Sequence, residues 1–302
     1  MNGPTNREHY GKITLSKMER IRDPFRRLVG ASLVLAGVLA CLSAHGADAK
    51  KTYTVAVVPH RLPLVVKKDW SPLLERLAAR TGADFQLKVY RGIPRFEAEL
   101  MKGIPDFAFM NPYHQVMARR AKGYIPLVRR QQPLTGILVV RHDSPVQSAK
   151  ELDGQTLAFP APNAFGASLY MRALLTEQVG ISFQPYYVDA HSEVYRHVIL
   201  SEAAGGGGIH YTFSIEPATV QAQLRVLYRT PETASHCLSA QPRVPRAVRK
   251  AVLDTILELN DTEAGRTILN HIQLGSPIMA DYGQDYQPLE RLGLEKYVVK
   301  SD

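Results

Sequence analysis

The chain has 302 residues, a formal net charge of +9 and 45% hydrophobic residues, enough to bury one large core or two smaller ones. Two cysteines exclude a disulfide-stapled scaffold. No lysine- or arginine-rich run of the nucleic-acid type occurs, so no nucleic-acid partner is expected.

Arg20, Arg22, Arg26 and Arg27 precede an uncharged apolar run over residues 28–42, which ends in Ser43, Ala44, Gly46 and Ala47. Basic n-region, short h-region and small-residue cleavage zone together predict a signal peptide over residues 1–47. The run falls short of the ~20 residues that a membrane span needs. The n-region is long, and Met18 offers an alternative start. Val38, Leu39, Ala40 and Cys41 also resemble a lipobox, which would leave Cys41 lipidated, although Leu39 fits poorly and cleavage near Ala47 is the preferred reading. Residues 1–47 hold seven Lys/Arg and three Asp/Glu, so processing lowers the net charge to +5. An exported, mildly basic protein of this kind favours anionic ligands or membrane surfaces. Only Cys237 then remains, and stability must come from the core.

Residues 53–58 alternate and are β-rich, which predicts a buried first strand that ends at Pro59 and His60. Trp70, Leu73, Leu74 and Leu77 share one helical face over 70–80, closed by Gly82. A strand over 85–89, a helix over 95–102 stopped by Gly103, and a strand over 106–110 come next. This β-α-β-α-β order is the pattern of a parallel sheet. Ligands of open α/β sheets bind at the carboxyl ends of strands, and Asn111, Tyr113 and His114 fall at such an end.

Residues 136–141 read as a strand and 148–154 as a short helix with a glycine stop. A strand over 157–159 then enters a turn with Pro160 and Pro162, and Asn163 stands at the N-cap of an apolar-periodic helix. The first turn of that helix, with Ala164, Phe165, Gly166, Ala167 and Ser168, is small and open. Its backbone N–H groups and positive dipole end form an anion cradle, or else an ordinary βα turn. A strand over 183–188 leads to His191 and a helix with Val194, Val198 and Ile199. Four glycines at 205–208 permit tight turns and close backbone approach ahead of residues 209–212, lining a cleft or merely connecting. A strand over 224–228 and amphipathic helices over 245–259 and 262–272 complete the pattern, with Tyr282, Tyr286, Leu289 and Leu292 as packing residues.

Each candidate has two readings. Tyr113 and His114 either donate to an oxyanion or pack and solvate the loop; His191 adds a donor or caps its helix; Asn163 caps its helix or touches the ligand. Tyr90, Tyr195 and Thr135 default to core or hinge roles, and His60 and Arg61 end the first strand. No HExxH, GxSxG, GxGxxG-plus-helix or Walker-type run occurs, so the chain offers a binding cleft and no catalytic constellation, metal site or cofactor.

Residues 103–114 resemble the G-x-x-D-x-A-x-x-x-P pattern of the phosphate/phosphite/phosphonate-binding family of periplasmic solute-binding proteins. Residues 159–163 before a helix, and His191 within 188–192, are similar to that family's ligand loops. The resemblance spans residues 51–300 and implies an α/β, type II periplasmic-binding-protein fold. Two lobes, 48–134 plus 237–302 and 135–236, would be joined by a two-stranded hinge near 135–136 and 230–236, with the ligand cleft between them. It implies a monomer that passes a phosphorus oxyanion to an ABC permease in the inner membrane. The implied ligand contacts are Asn111, Tyr113, His114, Asn163, Ala164, Phe165, Gly166, Ser168, His191 and Tyr90. Ala164, Phe165 and Gly166 replace the family's hydroxyl run, and after the His191 helix, where the family tends to place an acidic residue ahead of its small-residue turn, Glu202 is followed by Ala203, Ala204 and Gly205. The first departure leaves backbone N–H groups and Ser168 as donors; a missing carboxylate at the second weakens the case for an aminoalkyl phosphonate. A sensory protein signalling to a membrane receptor, or an enzyme on the same scaffold, are the competing readings.

Overall fold

A computed structural model of the chain describes residues 50–299, His60 excepted; the signal-peptide and lipidation readings lie outside the described residues. Strand β1 (Thr52–Val57), helix α1 (Pro63–Thr81), β2 (Asp84–Lys88), α2 (Ile93–Met101) and β3 (Phe107–Met110) follow the alternation that the sequence predicts. β1 pairs parallel with both β2 and β3. Buried Trp70, Leu73 and Leu77 of α1 press on this sheet, with the Trp70 ring 5.3 Å from that of Phe109. Helix α3 (Pro112–Lys122) leads into β4 (Ile125–Arg130), a strand with no separate signature in the sequence.

The chain then leaves this sheet for a second one. β5 (Gly136–Arg141), β6 (Thr156–Phe159), β7 (Gln184–Tyr187), β8 (Gly205–Ile209) and β9 (Leu224–Arg229) form a five-stranded sheet in the order β7-β6-β8-β5-β9. Residues 165–179 make one helix, α4, whose π-wound ends (Phe165–Leu169 and Leu175–Val179) flank a short α-helical centre. Helix α5 (His191–Ile199) and the short α6 (His210–Ser214) and α7 (Ala218–Gln221) complete this part. The chain returns to the first sheet as β10 (Cys237–Ala240), continues through α8 (Arg246–Leu259) and α9 (Glu263–His271), and adds β11 (Pro277–Met279). The first sheet thus has the order β11-β4-β10-β3-β1-β2.

The glycine run at 205–208 is a strand and not a turn or connector, which corrects the sequence expectation. Glycine has poor β-propensity, but packing overrides it here. A Cβ on Gly207 would collide with the Ala167 carbonyl oxygen, one on Gly206 with Val194, and one on Gly208 with the Tyr195 hydroxyl. Bare backbone lets α4 and α5 lie directly on β8.

The two passages between sheets run side by side. Leu134 and Thr233 exchange both backbone hydrogen bonds, at 2.9 and 3.1 Å, and Gly136 N donates to the Thr230 hydroxyl. Phe165, Leu169, Tyr170, Ala173 and Leu174 of α4 share one buried apolar cluster with the first sheet, so the two sheets are joined by core as well as by chain.

Gly207→Ala is expected to cost about 1–3 kcal/mol, because a fixed carbonyl cannot move aside; equilibrium urea unfolding should show the lower midpoint. Cys237 is fully buried, and burial pushes its thiol up to about 11. Its reaction with a disulfide reagent at pH 8 should be slow in the folded protein and fast in denaturant.

Candidate functional site

Three of the residues singled out in the sequence do meet. Asn111 ends β3 and caps α3: its Oδ1 accepts from the His114 backbone N–H at 2.8 Å. Its Nδ2 donates to the Asn163 carbonyl oxygen at 3.4 Å, so the loops after β3 and β6 touch. The group that organises them is Glu97 of α2, which no sequence motif marks. Glu97 Oε1 accepts from His114 Nε2 at 2.8 Å and its Oε2 accepts from Asn163 Nδ2 at 3.1 Å. A carboxylate has acceptor capacity for both. Asn111, His114 and Asn163 are nearly fully buried, and their side-chain polar atoms are bonded inside the protein except His114 Nδ1, which has no partner among the described residues.

Asn163 is not the helix cap that its position predicts. Ala164 is the N-cap of α4, and its carbonyl accepts from both Ser168 N (2.8 Å) and Leu169 N (3.1 Å) as the π-wound turn begins. The Asn163 side chain is diverted to the C-terminal segment, donating to Val299 O at 2.9 Å and accepting from Val299 N at 3.0 Å. The turn itself is buried where the sequence predicts an open one. Gly166 packs on Leu134 and Gly136, and Phe165 stacks on Tyr170 at 5.7 Å. Ser168 donates to Pro162 O and accepts from buried Arg172, whose guanidinium also reaches Pro162 O and Tyr297 O. Burial lowers the Arg172 pKa from its ordinary value.

The other candidates lie apart. Tyr113 is buried beside Glu295; burial first, then that carboxylate, push its hydroxyl up to about 12. Tyr90 donates to Glu99 Oε2 at 2.8 Å on the far side of α2. His191 is the first residue of α5 and is half-buried there, the cap being Ala190.

An open space lies elsewhere along the same boundary between the sheets. Beside the two passages sits a cavity of about 200 Å³, lined by Arg130 at the end of β4, Gln273 after α9, Leu134, Thr135, Ser235 and His236 of the passages, and residues 209–212 and Ser214 at the end of β8 and in α6. Arg130 ends β4, and its guanidinium lies 4.0 Å from the Tyr211 ring centroid. His236 stacks on Phe109 at 5.7 Å, and the His210 ring faces Arg229 at 3.4 Å. Among the described residues, no Asp or Glu lines this cavity. None of the ten residues expected to bind ligand does so either. Arg130 and His236 carry no local signal, because each becomes a wall only when the chain crosses between sheets. Residues 209–212 stand out in the sequence only by their place after the glycine run.

Two α/β halves joined by two chain passages, with a cavity at their boundary, define a type II periplasmic-binding-protein fold. The chain belongs to the family described as ABC transporter, phosphonate, periplasmic substrate-binding protein, whose model matches residues 55–286. Its relatives there are substrate-binding proteins and not enzymes. PhnD1 from Prochlorococcus marinus, solved in complex with methylphosphonate, has a TM-score of 0.73 at 16% identity, covering 82% of this chain and 99% of that one. A binding-protein component of an ABC phosphonate transporter from Pseudomonas aeruginosa has a TM-score of 0.70 at 12% identity, covering 80% and 85%. A Xanthomonas citri protein solved with a bound chloride ion has a TM-score of 0.67 at 16% identity, covering 82% and 95%. Among curated protein sequences, none matches the chain.

Removing the Glu97 carboxylate strands two buried partners. Glu97→Ala and Asn163→Ala should each lower stability by about 1–3 kcal/mol. The double variant should lose less than the sum, by at least ~0.5 kcal/mol in a double-mutant cycle.

Proposed function

We propose that the protein is the exported solute-binding component of an ABC importer, and that it takes a phosphorus oxyanion between its two sheets. The observation that carries this reading is the cavity beside the passages, which brings together Arg130, His210, His236 and Tyr211 with no acidic residue among those described; the Thr212, Ser214 and Ser235 hydroxyls there donate to the carbonyls of Ile209, Tyr211 and Gln132. Charge-assisted N–H and O–H donors are what a phosphoryl group requires. Family membership supplies the phosphorus class and the permease as partner.

On this reading residues 48–134 plus 237–302 form one lobe and 135–236 the other, and they rotate about the passages at 134–136 and 230–236 to admit and enclose the ligand. The paired backbone of Leu134 and Thr233 serves as the pivot. Closing about a fixed pivot carries the donors of the second sheet onto an anion already held by the first. The protein works in the periplasm as a monomer, its export directed by residues 1–47 and its release by cleavage near Ala47.

Phosphate, phosphite and methylphosphonate at millimolar concentration supply the test. Tight binding to the native state alone stabilises by about 2.7 kcal/mol at a hundred times Kd, so at least one should raise the thermal midpoint by several degrees. If none of them does, the ligand class is wrong.

A further inference from the structure

We infer that the cavity beside the passages is where the anion is held, and that its ligand is a phosphonate whose organic group carries no ammonium. The inference rests on the oxyanion-binding reading and goes further, to the residues that hold the anion and the substituent they accept.

Charge comes first. Arg130 is half-buried; its Nε donates to the Gln132 side-chain oxygen at 3.1 Å, and its guanidinium covers the Tyr211 ring. Arg229 contacts the His210 ring. No ion pair to a carboxylate is formed by Arg130 or Arg229 among the described residues, whereas the adjacent Arg129 pairs with Asp285 at 2.8 Å. Two neighbouring arginines therefore differ in kind. Arg129 is neutralised on the outer side, and Arg130 brings its positive charge to the cavity wall. An arginine so placed presents a planar fork of donors that suits a phosphoryl group.

Size and wall chemistry decide the substituent. A water needs about 10–15 Å³ of such space, so a cavity of about 200 Å³ has room for far more than a bare tetrahedral oxyanion. Pro133, Leu134 and Ile209 supply an apolar wall for the remainder. An ammonium group here would face Arg130 with no carboxylate among the described lining residues to neutralise it. Like-charge repulsion then selects against aminoalkyl phosphonates and in favour of alkyl ones.

Calorimetric titration of the mature chain with ethylphosphonate and 2-aminoethylphosphonate, which differ by one ammonium, tests this. Ethylphosphonate should bind at least tenfold more tightly. Arg130→Gln should weaken it at least tenfold, and so should His210→Asn on the opposite wall, a second substitution in case the first disturbs folding. Arg95→Gln, a distant and largely exposed cation, should leave the affinity unchanged. Equal or tighter binding of 2-aminoethylphosphonate overturns the inference, as does full affinity in both the Arg130 and His210 variants. In those cases the oxyanion reading stands, with a different site or specificity. If no phosphorus oxyanion binds the unaltered protein, that reading falls and takes this inference with it.

Discussion

The architecture depends on how closely two lengths of chain pass each other between the sheets. Leu134 and Thr233 bond reciprocally through their backbones, Thr230 N donates to Gly136 O, and His210 N donates to Thr135 O. A Cβ on Gly136 would strike the Gly166 carbonyl, so the passage and the start of α4 sit in backbone contact. That contact brings the second sheet up to the first. The β3 and β6 loops meet there, and Leu134 of the passage both packs on Gly166 and lines the cavity.

The two places differ in their polar groups. On the Asn163 side, Glu97 gathers His114 and Asn163, and the C-terminal segment closes over them through Val299 and Tyr297. Its buried donors and acceptors are largely turned on one another, His114 Nδ1 being the one without a partner among the described residues. A missing partner here costs desolvation with nothing in return. On the cavity side Arg130 has no carboxylate partner among the described residues, and the space beside it is open.

Most of the secondary structure was legible because hydrophobic period and glycine stops agree, as in α1 with Trp70, Leu73 and Leu77 ahead of Gly82. That Asn111 and Asn163 follow strands β3 and β6 was legible, but that these ends meet was not, because the two strands lie in different sheets. β8 was not legible, because four glycines carry no side-chain pattern and only the facing Val194, Ala167 and Tyr195 explain the strand. The partner of His114 was hidden for another reason. Glu97 lies seventeen positions earlier on a different helix and is joined to it only by tertiary packing. Arg130 was hidden likewise: adjacent arginines look equivalent in sequence, and only the position of Asp285 separates their roles.

A structure of the protein crystallised with ethylphosphonate tests the central claim most directly. The account predicts phosphonate oxygens within hydrogen-bond distance of Arg130 and His210, with the ethyl group against Leu134 and Ile209. Ligand instead at the Asn163–Ser168 turn and His191, with the cavity beside the passages empty, would contradict it.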